Sequence, residues 1–133
     1  MKKKTSLFAF GIMLLSIVTL FSACKKSDPA PEPVAAPTFL MSSIPDPGDP
    51  NAVIFQFKCT TNDVRLTKVV ISDPLGMIND TYDLQQMTVL MNTVYQFNFS
   101  YTKASGKWSF TFTGNRSNDN SGFVSITYLT QAK

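Results

Sequence analysis

Gly106-Lys107-Trp108-Ser109-Phe110-Thr111-Phe112-Thr113-Gly114 decides how this chain folds. Trp108, Phe110 and Phe112 fall on one side of an extended backbone, and Ser109, Thr111 and Thr113 on the other. A period of two residues marks a strand with one face turned to a core. The same pattern recurs outward from this stretch. Val53, Phe55, Phe57 and Cys59 alternate with Ile54, Gln56 and Lys58; Tyr95, Phe97, Phe99 and Tyr101 alternate with Gln96, Asn98 and Ser100. Val124, Ile126 and Tyr128 alternate with Ser125 and Thr127 near the end of the chain. No stretch after Thr38 sustains the 3.6-residue apolar period of an amphipathic helix.

Further strands are expected at Phe39 to Ser43 and at Val64 to Ser72, where Val69-Val70-Ile71 suggests cover on both faces. The stretch from Ile44 to Asn51 is dense in proline and turn residues and does not suit a central strand. Asp73-Pro74-Leu75-Gly76 suits a type I or II turn with proline second. Asn79 to Gln86 reads as an irregular loop, followed by a short strand around Met87 to Leu90. Gly114 to Gly122 reads as a polar loop. Six or seven short antiparallel strands in about 96 residues form one core, and the expected fold class is an all-β sandwich. A small β-barrel is the alternative, because the last three strands suit a meander.

The segment Gly106 to Gly114, a loop, and then Phe123 to Tyr128 resembles the last two strands of bacterial immunoglobulin-like or fibronectin-type domains. The resemblance is one of pattern. The Cys–Trp–Cys arrangement of antibody domains is missing, and no tyrosine corner is assignable.

The start of the chain has a different character. Lys2, Lys3 and Lys4 precede an uncharged apolar run from Leu7 to Ala23, which ends in Phe21-Ser22-Ala23-Cys24. A basic start, an apolar middle and small residues at a cut are the layout of a secretory signal. With cysteine directly after Ser22-Ala23, the segment resembles a bacterial lipoprotein signal, with Phe21 where leucine is most usual. The resemblance implies cleavage between Ala23 and Cys24 and a lipid on the Cys24 sulfur. It also implies that Lys25, in place of the aspartate that retains some lipoproteins at the inner membrane, permits outer-membrane delivery. A short transmembrane helix and an ordinary signal peptide are the competing readings. Residues 25–37, KKSDPAPEPVAAP, carry four prolines and form a semi-rigid tether of roughly 40 Å when extended at about 3.1 Å per residue. The expected organisation is therefore 1–23 signal, 24–37 lipidated cysteine and tether, and 38–133 sandwich.

Charge gives little support to a nucleic-acid partner. The chain has 12 basic and 9 acidic residues; without Lys2, Lys3 and Lys4, nine basic residues balance nine acids. No clustered basic face is visible, and nucleic acid is not an expected partner. The chain contains no histidine, which removes Ser-His-Asp chemistry and most zinc sites. Cys59 shares a face with Phe55 and Phe57 and is expected in the core. Asp73, Asp80 and Asp83 are the conceivable carboxylates for an envelope enzyme, but they sit in turn-like contexts where aspartate bonds its own backbone. Calcium needs six to eight oxygen ligands. Asp46, Asp49 and Asn51 offer some in one loop, and Asn115, Asn118, Asp119 and Asn120 in another, with no calcium-loop spacing. No metal, cofactor or catalytic residue is assigned. The expected function is binding or scaffolding by a lipid-anchored envelope protein at the outer membrane, facing the periplasm or the surface. A glycan-binding accessory module of an uptake system is the alternative, with Tyr82 as a candidate exposed ring. An adhesion module using Asn115 to Ser121 is a third. Protein or glycan is the expected ligand, and the oligomeric state is left open.

Replacing Cys24 with alanine is expected to abolish palmitate labelling and to leave an unprocessed precursor. Label retained in that variant would show the anchor to be wrongly assigned.

Overall fold

A computed structural model describes residues 34–132. The chain divides at Val34/Ala35, and the fold reported is that of the unit beginning at Ala35. Cys24, Ala23, the signal and the tether up to Pro33 lie outside the described residues.

Eight strands make up the unit: β1 (Phe39–Asp46), β2 (Asp49–Cys59), β3 (Val64–Ser72), β4 (Asn79–Val89), β5 (Val94–Gln96), β6 (Tyr101–Thr102), β7 (Gly106–Arg116) and β8 (Gly122–Gln131). In one sheet β2 pairs with β1 on one side and with β5 and β6 on the other; the second sheet runs β4-β3-β7-β8. Every pairing is antiparallel. Two separate sheets make this a β-sandwich and not the barrel alternative. β5 and β6 lie along β2 as one interrupted strand, and counted so the sandwich has the expected seven.

The alternating residues of β2 and β7 build the core between the sheets. Phe55, Phe57 and Cys59 from β2 and Trp108, Phe110 and Phe112 from β7 are all 2% exposed or less. Phe55 meets Phe110 edge-on at 5.0 Å and Trp108 at 4.9 Å, while Phe39 of β1 stacks on Phe112 at 4.3 Å. The buried Trp108 indole donates its N–H to the Ala104 carbonyl at 3.1 Å, as a buried indole requires. Burial of Cys59 agrees with the sequence reading.

Several expected boundaries shift. β1 and β2 extend through the proline-rich stretch to a tight turn at Pro47-Gly48. Proline is tolerated there because β1 is a sheet edge and the register slips between Pro45 and Asp46. The expected loop at Asn79 to Gln86 belongs to the long strand β4. The expected polar loop after Gly114 shrinks to a turn, since Gly114, Asn115 and Arg116 remain paired in β7. In β3 a bulge at Thr67 shifts the inward phase from Val64 and Leu66 to Val69 and Ile71. This is why Val69-Val70-Ile71 reads as continuous in sequence while Val70 is only half-buried.

β8 reverses the usual polarity of a half-buried strand. Val124, Ile126 and Tyr128 point outward, while Ser125 is buried and Thr127 half-buried. The register supplies the reason. Ser125 and Thr127 sit opposite Phe112 and Phe110, whose rings fill the interior and leave room only for small neighbours. Thr127 then donates its hydroxyl to the Phe39 carbonyl at 2.9 Å, and Gln131 donates its amide to the Ser43 hydroxyl at 2.7 Å. These bonds close the β1/β8 side of the sandwich.

The two ends are distinct. At one end Thr60 N–H reaches the Thr38 carbonyl, Asn92 N–H the Cys59 carbonyl and Ser117 N–H the Asp63 carbonyl. The β2–β3, β4–β5 and β7–β8 connections thus gather where the chain enters the sandwich. At the other end lie the β1–β2 turn and the Asp73 to Ile78 connection.

Gly114 passes so close to β3 that a Cβ there would lie 2.2 Å from the Arg65 carbonyl oxygen, whereas one at Gly122 would meet nothing nearer than 3.9 Å. Gly114→Ala is expected to lower unfolding free energy by about 1–3 kcal/mol or more, as overpacking does. Gly122→Ala is expected to stay within about 1 kcal/mol of the parent. Urea denaturation of the two variants checks the contrast.

Candidate functional site

The side of the sandwich opposite β1/β8 is open. There β4 and the β5/β6 strand diverge, each through a local irregularity. On β4, Leu84, Gln85 and Gln86 intervene between the pairs Lys68↔Asp83 and Leu66↔Met87. Gln85 and Gln86 take left-handed backbone, φ 49° and 60°, a conformation costing about 1–2 kcal/mol per residue outside glycine. On the other wall, Phe97 to Ser100 bulge out between Gln96 and Tyr101, while their partners on β2 advance only from Gln56 to Val53. Between the two bulges lies a cleft of about 350 Å³, lined by Phe57, Tyr82, Asp83, Leu84, Gln85, Met87, Gln96, Phe97, Asn98 and Phe99. That volume falls within the range of small-ligand sites.

Stacked rings line the cleft. Tyr82 stacks on Phe99 with centroids 4.0 Å apart and planes at 12°; Phe99 stacks on Phe97 at 5.1 Å, and Phe97 packs on Phe57 at 5.0 Å. Tyr82 ends this stack. Its hydroxyl lies 2.7 Å from that of Tyr101, which donates to Asp80 Oδ2 at 3.1 Å. Burial, and then the hydrogen bonds with Tyr82 and Asp80, push the Tyr101 phenol pKa far up. Tyr101 therefore remains a protonated donor, and the Tyr101–Asp80 pair holds the Tyr82 ring in place. Gln85 and Asn98 lie beside the rings, while Asp83 and Gln96 line the cleft from strand positions whose side chains alternate away from Tyr82 and Phe57. Gln96 Oε1 accepts from Gln56 Nε2 at 3.4 Å. Among the described residues no lysine or arginine lines the cleft. Such a site offers ring faces for C–H surfaces and amides for hydroxyls.

The three suspected carboxylates do not converge. Asp73 caps its own turn, accepting from Ile78 N–H at 2.8 Å, and this bond holds its pKa down. Asp80 faces the tyrosines. Asp83, three residues on and paired with exposed Lys68, points from the opposite face of β4 and accepts from Gln85 N–H at 2.9 Å. Nor do the two candidate calcium loops meet: the Asp46 to Asn51 turn and the β7–β8 turn lie at opposite ends of the sandwich. Asp46 and Asp49 accept from the N–H of Gly48 and Asn51, each at 2.8 Å, which is ordinary turn bonding. Among the described residues no group of three acidic, histidine or cysteine side chains is placed to hold a metal.

Arg116, read in sequence as part of a polar loop, is buried. Its guanidinium donates to the Ser121 hydroxyl at 3.0 Å and to the Ala35 carbonyl, and lies 3.9 Å from Asp119. It ties the β7–β8 turn to the chain entering the sandwich. Gln85, Gln96, Asn98 and Arg116 escaped sequence reading because nothing local distinguishes them from solvent-facing polar residues. The recurrent Phe97 and Phe99 were the one signal of an aromatic wall.

The chain matches no protein-family model, no curated protein and no solved structure. The fold and the cleft define it as an all-β sandwich with an aromatic side cleft.

Tyr101→Phe removes the donor to Asp80 and is expected to lower stability by about 1 kcal/mol while loosening Tyr82. Chemical denaturation and ring chemical shifts of Phe99 check both effects.

Proposed function

We propose that this protein is a lipid-anchored cell-envelope binding protein, held at the outer membrane through Cys24 and without catalytic activity. The signal-like start, the Ser22-Ala23-Cys24 junction and the proline tether support the anchor. The strand order 1-2-5 over 4-3-7-8 supports the immunoglobulin-like reading of the sandwich. The separate local roles of Asp73, Asp80 and Asp83 argue against an envelope enzyme built on them.

The single observation that carries the binding reading is the cleft between β4 and β5, with stacked rings beside Gln85 and Asn98. It favours a neutral glycan as the ligand. Aromatic faces pack against the apolar face of a sugar ring, and amides exchange hydrogen bonds with its hydroxyls. On this reading the protein is an accessory module of glycan capture at the envelope.

Isothermal titration of the full chain in mild detergent against neutral oligosaccharides tests the reading. Tyr82→Ala and Phe99→Ala are each expected to weaken binding by roughly tenfold or more, the scale of one lost stacking contact of about 1.4 kcal/mol. Unchanged affinity in both variants would move the site elsewhere. No binding to any neutral glycan would remove the glycan reading.

A further inference from the structure

The sandwich has four exposed strand edges, and three carry devices that discourage pairing with another chain. β1 has Pro45 and a register slip, β4 has a bulge and two aspartates, and the strand formed by β5 and β6 is interrupted. Bulges, prolines and charges of this kind protect edges. β8 has none of them. Its ten residues, Gly122–Gln131, contain no charge and no proline, and pair with β7 without a register shift. Three of its outward side chains are large hydrophobics, with Val124 60% exposed, Ile126 58% and Tyr128 52%, and the Lys107 ammonium of β7 lies 3.8 Å from the Tyr128 ring centroid.

The backbone phase of this edge follows from the turn that precedes it. Arg116 N–H donates to the Ser121 carbonyl at 2.9 Å, so Arg116 and Ser121 form a hydrogen-bonded pair. Bonded and non-bonded pairs alternate in an antiparallel ladder. Hence Phe123, Ser125, Thr127 and Leu129 direct their N–H and C=O groups to β7. Val124, Ile126 and Tyr128 direct theirs to the open edge. Among the described residues no other strand pairs with that edge; the bonds between β1 and β8 run through the side chains of Thr127 and Gln131. The residues that expose apolar side chains are therefore the ones that present free backbone groups.

We propose that β8 is a self-association edge, pairing antiparallel with β8 of a second copy about a two-fold axis at Ile126. A two-fold interface must be complementary to itself, and β8 is close to palindromic about Ile126. Ser125 would face the partner's Thr127, Val124 the partner's Tyr128, and Phe123 the partner's Leu129. The backbone phase makes Ile126↔Ile126 and Val124↔Tyr128 hydrogen-bonded pairs, and the second sheet becomes a continuous eight-stranded sheet across the dimer. The absence of charge along β8 means that no like charges meet at the axis. A ten-residue edge buries a small area, in the class below about 1,200 Å², so the dimer is weak and concentration-dependent. The inference holds whether or not Cys24 carries lipid.

Oxidative crosslinking of the full chain in mild detergent tests it. In a hydrogen-bonded pair the facing Cα atoms are about 5.5 Å apart, within disulfide reach. Ile126→Cys is expected to give a reducible dimer in high yield. Thr111→Cys, one strand farther from the axis, and the parent chain with its buried Cys59 are expected to give little, all compared in a Cys24→Ser background so that Cys24 supplies no thiol. Sedimentation velocity supplies a second reading: Ile126→Lys should weaken association at least tenfold with an unchanged melting temperature, since the side chain is exposed. Equal crosslinking at the two positions, crosslinking of Ile126→Cys to a different protein, or parent-like association of Ile126→Lys would each overturn the proposal.

Discussion

The contact between β2 and β7 is the constraint on which the other features depend. Phe55 and Phe57 from one sheet and Trp108, Phe110 and Phe112 from the other form one buried layer of rings. Truncating any one of these rings to alanine removes a contribution of about 3–5 kcal/mol, a large part of the stability of a domain this size. Because β2 and β7 are the central strands of their sheets, the layer also sets where the remaining strands lie. The rings fill the space beneath β8, which then accepts only Ser125 and Thr127 inward. The apolar face of β8 is consequently left in solvent.

The same layer explains the contrast between the two sides of the sandwich. Where β1 and β8 approach, small hydroxyl residues let the backbones come close, and two side-chain hydrogen bonds seal the gap. Where β4 and β5 approach, the ring layer continues outward through Phe57, Phe97, Phe99 and Tyr82. These rings hold the walls apart. Bulges in both walls, one with two left-handed glutamines, accommodate the separation. The cleft thus follows from a core too large to be closed on that side, with Tyr101 and Asp80 fixing its outermost ring.

The two surfaces differ in character. The cleft is concave and rimmed with amides, suited to a small polar ligand. β8 is uncharged and unprotected, suited to another strand. They lie on opposite sides of the sandwich, so a paired β8 leaves the cleft open. A dimer would carry two such clefts, which raises avidity for a repeating ligand without new contacts.

Much of the fold was legible in the residues. Strict alternation at Val53 to Cys59 and Trp108 to Phe112 marks strands with one buried face, because side chains of an extended chain point alternately to its two faces. Burial of Cys59 and the turn at Asp73 to Gly76 agree with that reading. β4 was illegible because it is an edge strand with much of its surface in solvent. Its bulge breaks the period, so Asn79 to Gln86 carries no alternation to detect. The inversion of β8 was hidden for a different reason. Alternation shows that two faces differ but not which one turns inward; the volume of the rings on β7 decides that. The meeting of Tyr82, Phe99 and Phe97 was likewise decided only by tertiary structure, since it depends on two sheets being stacked and on bulges that let their edges diverge. Local periodicity therefore determined the strands and the ring layer, while packing volume across the sandwich decided which surfaces were left to bind.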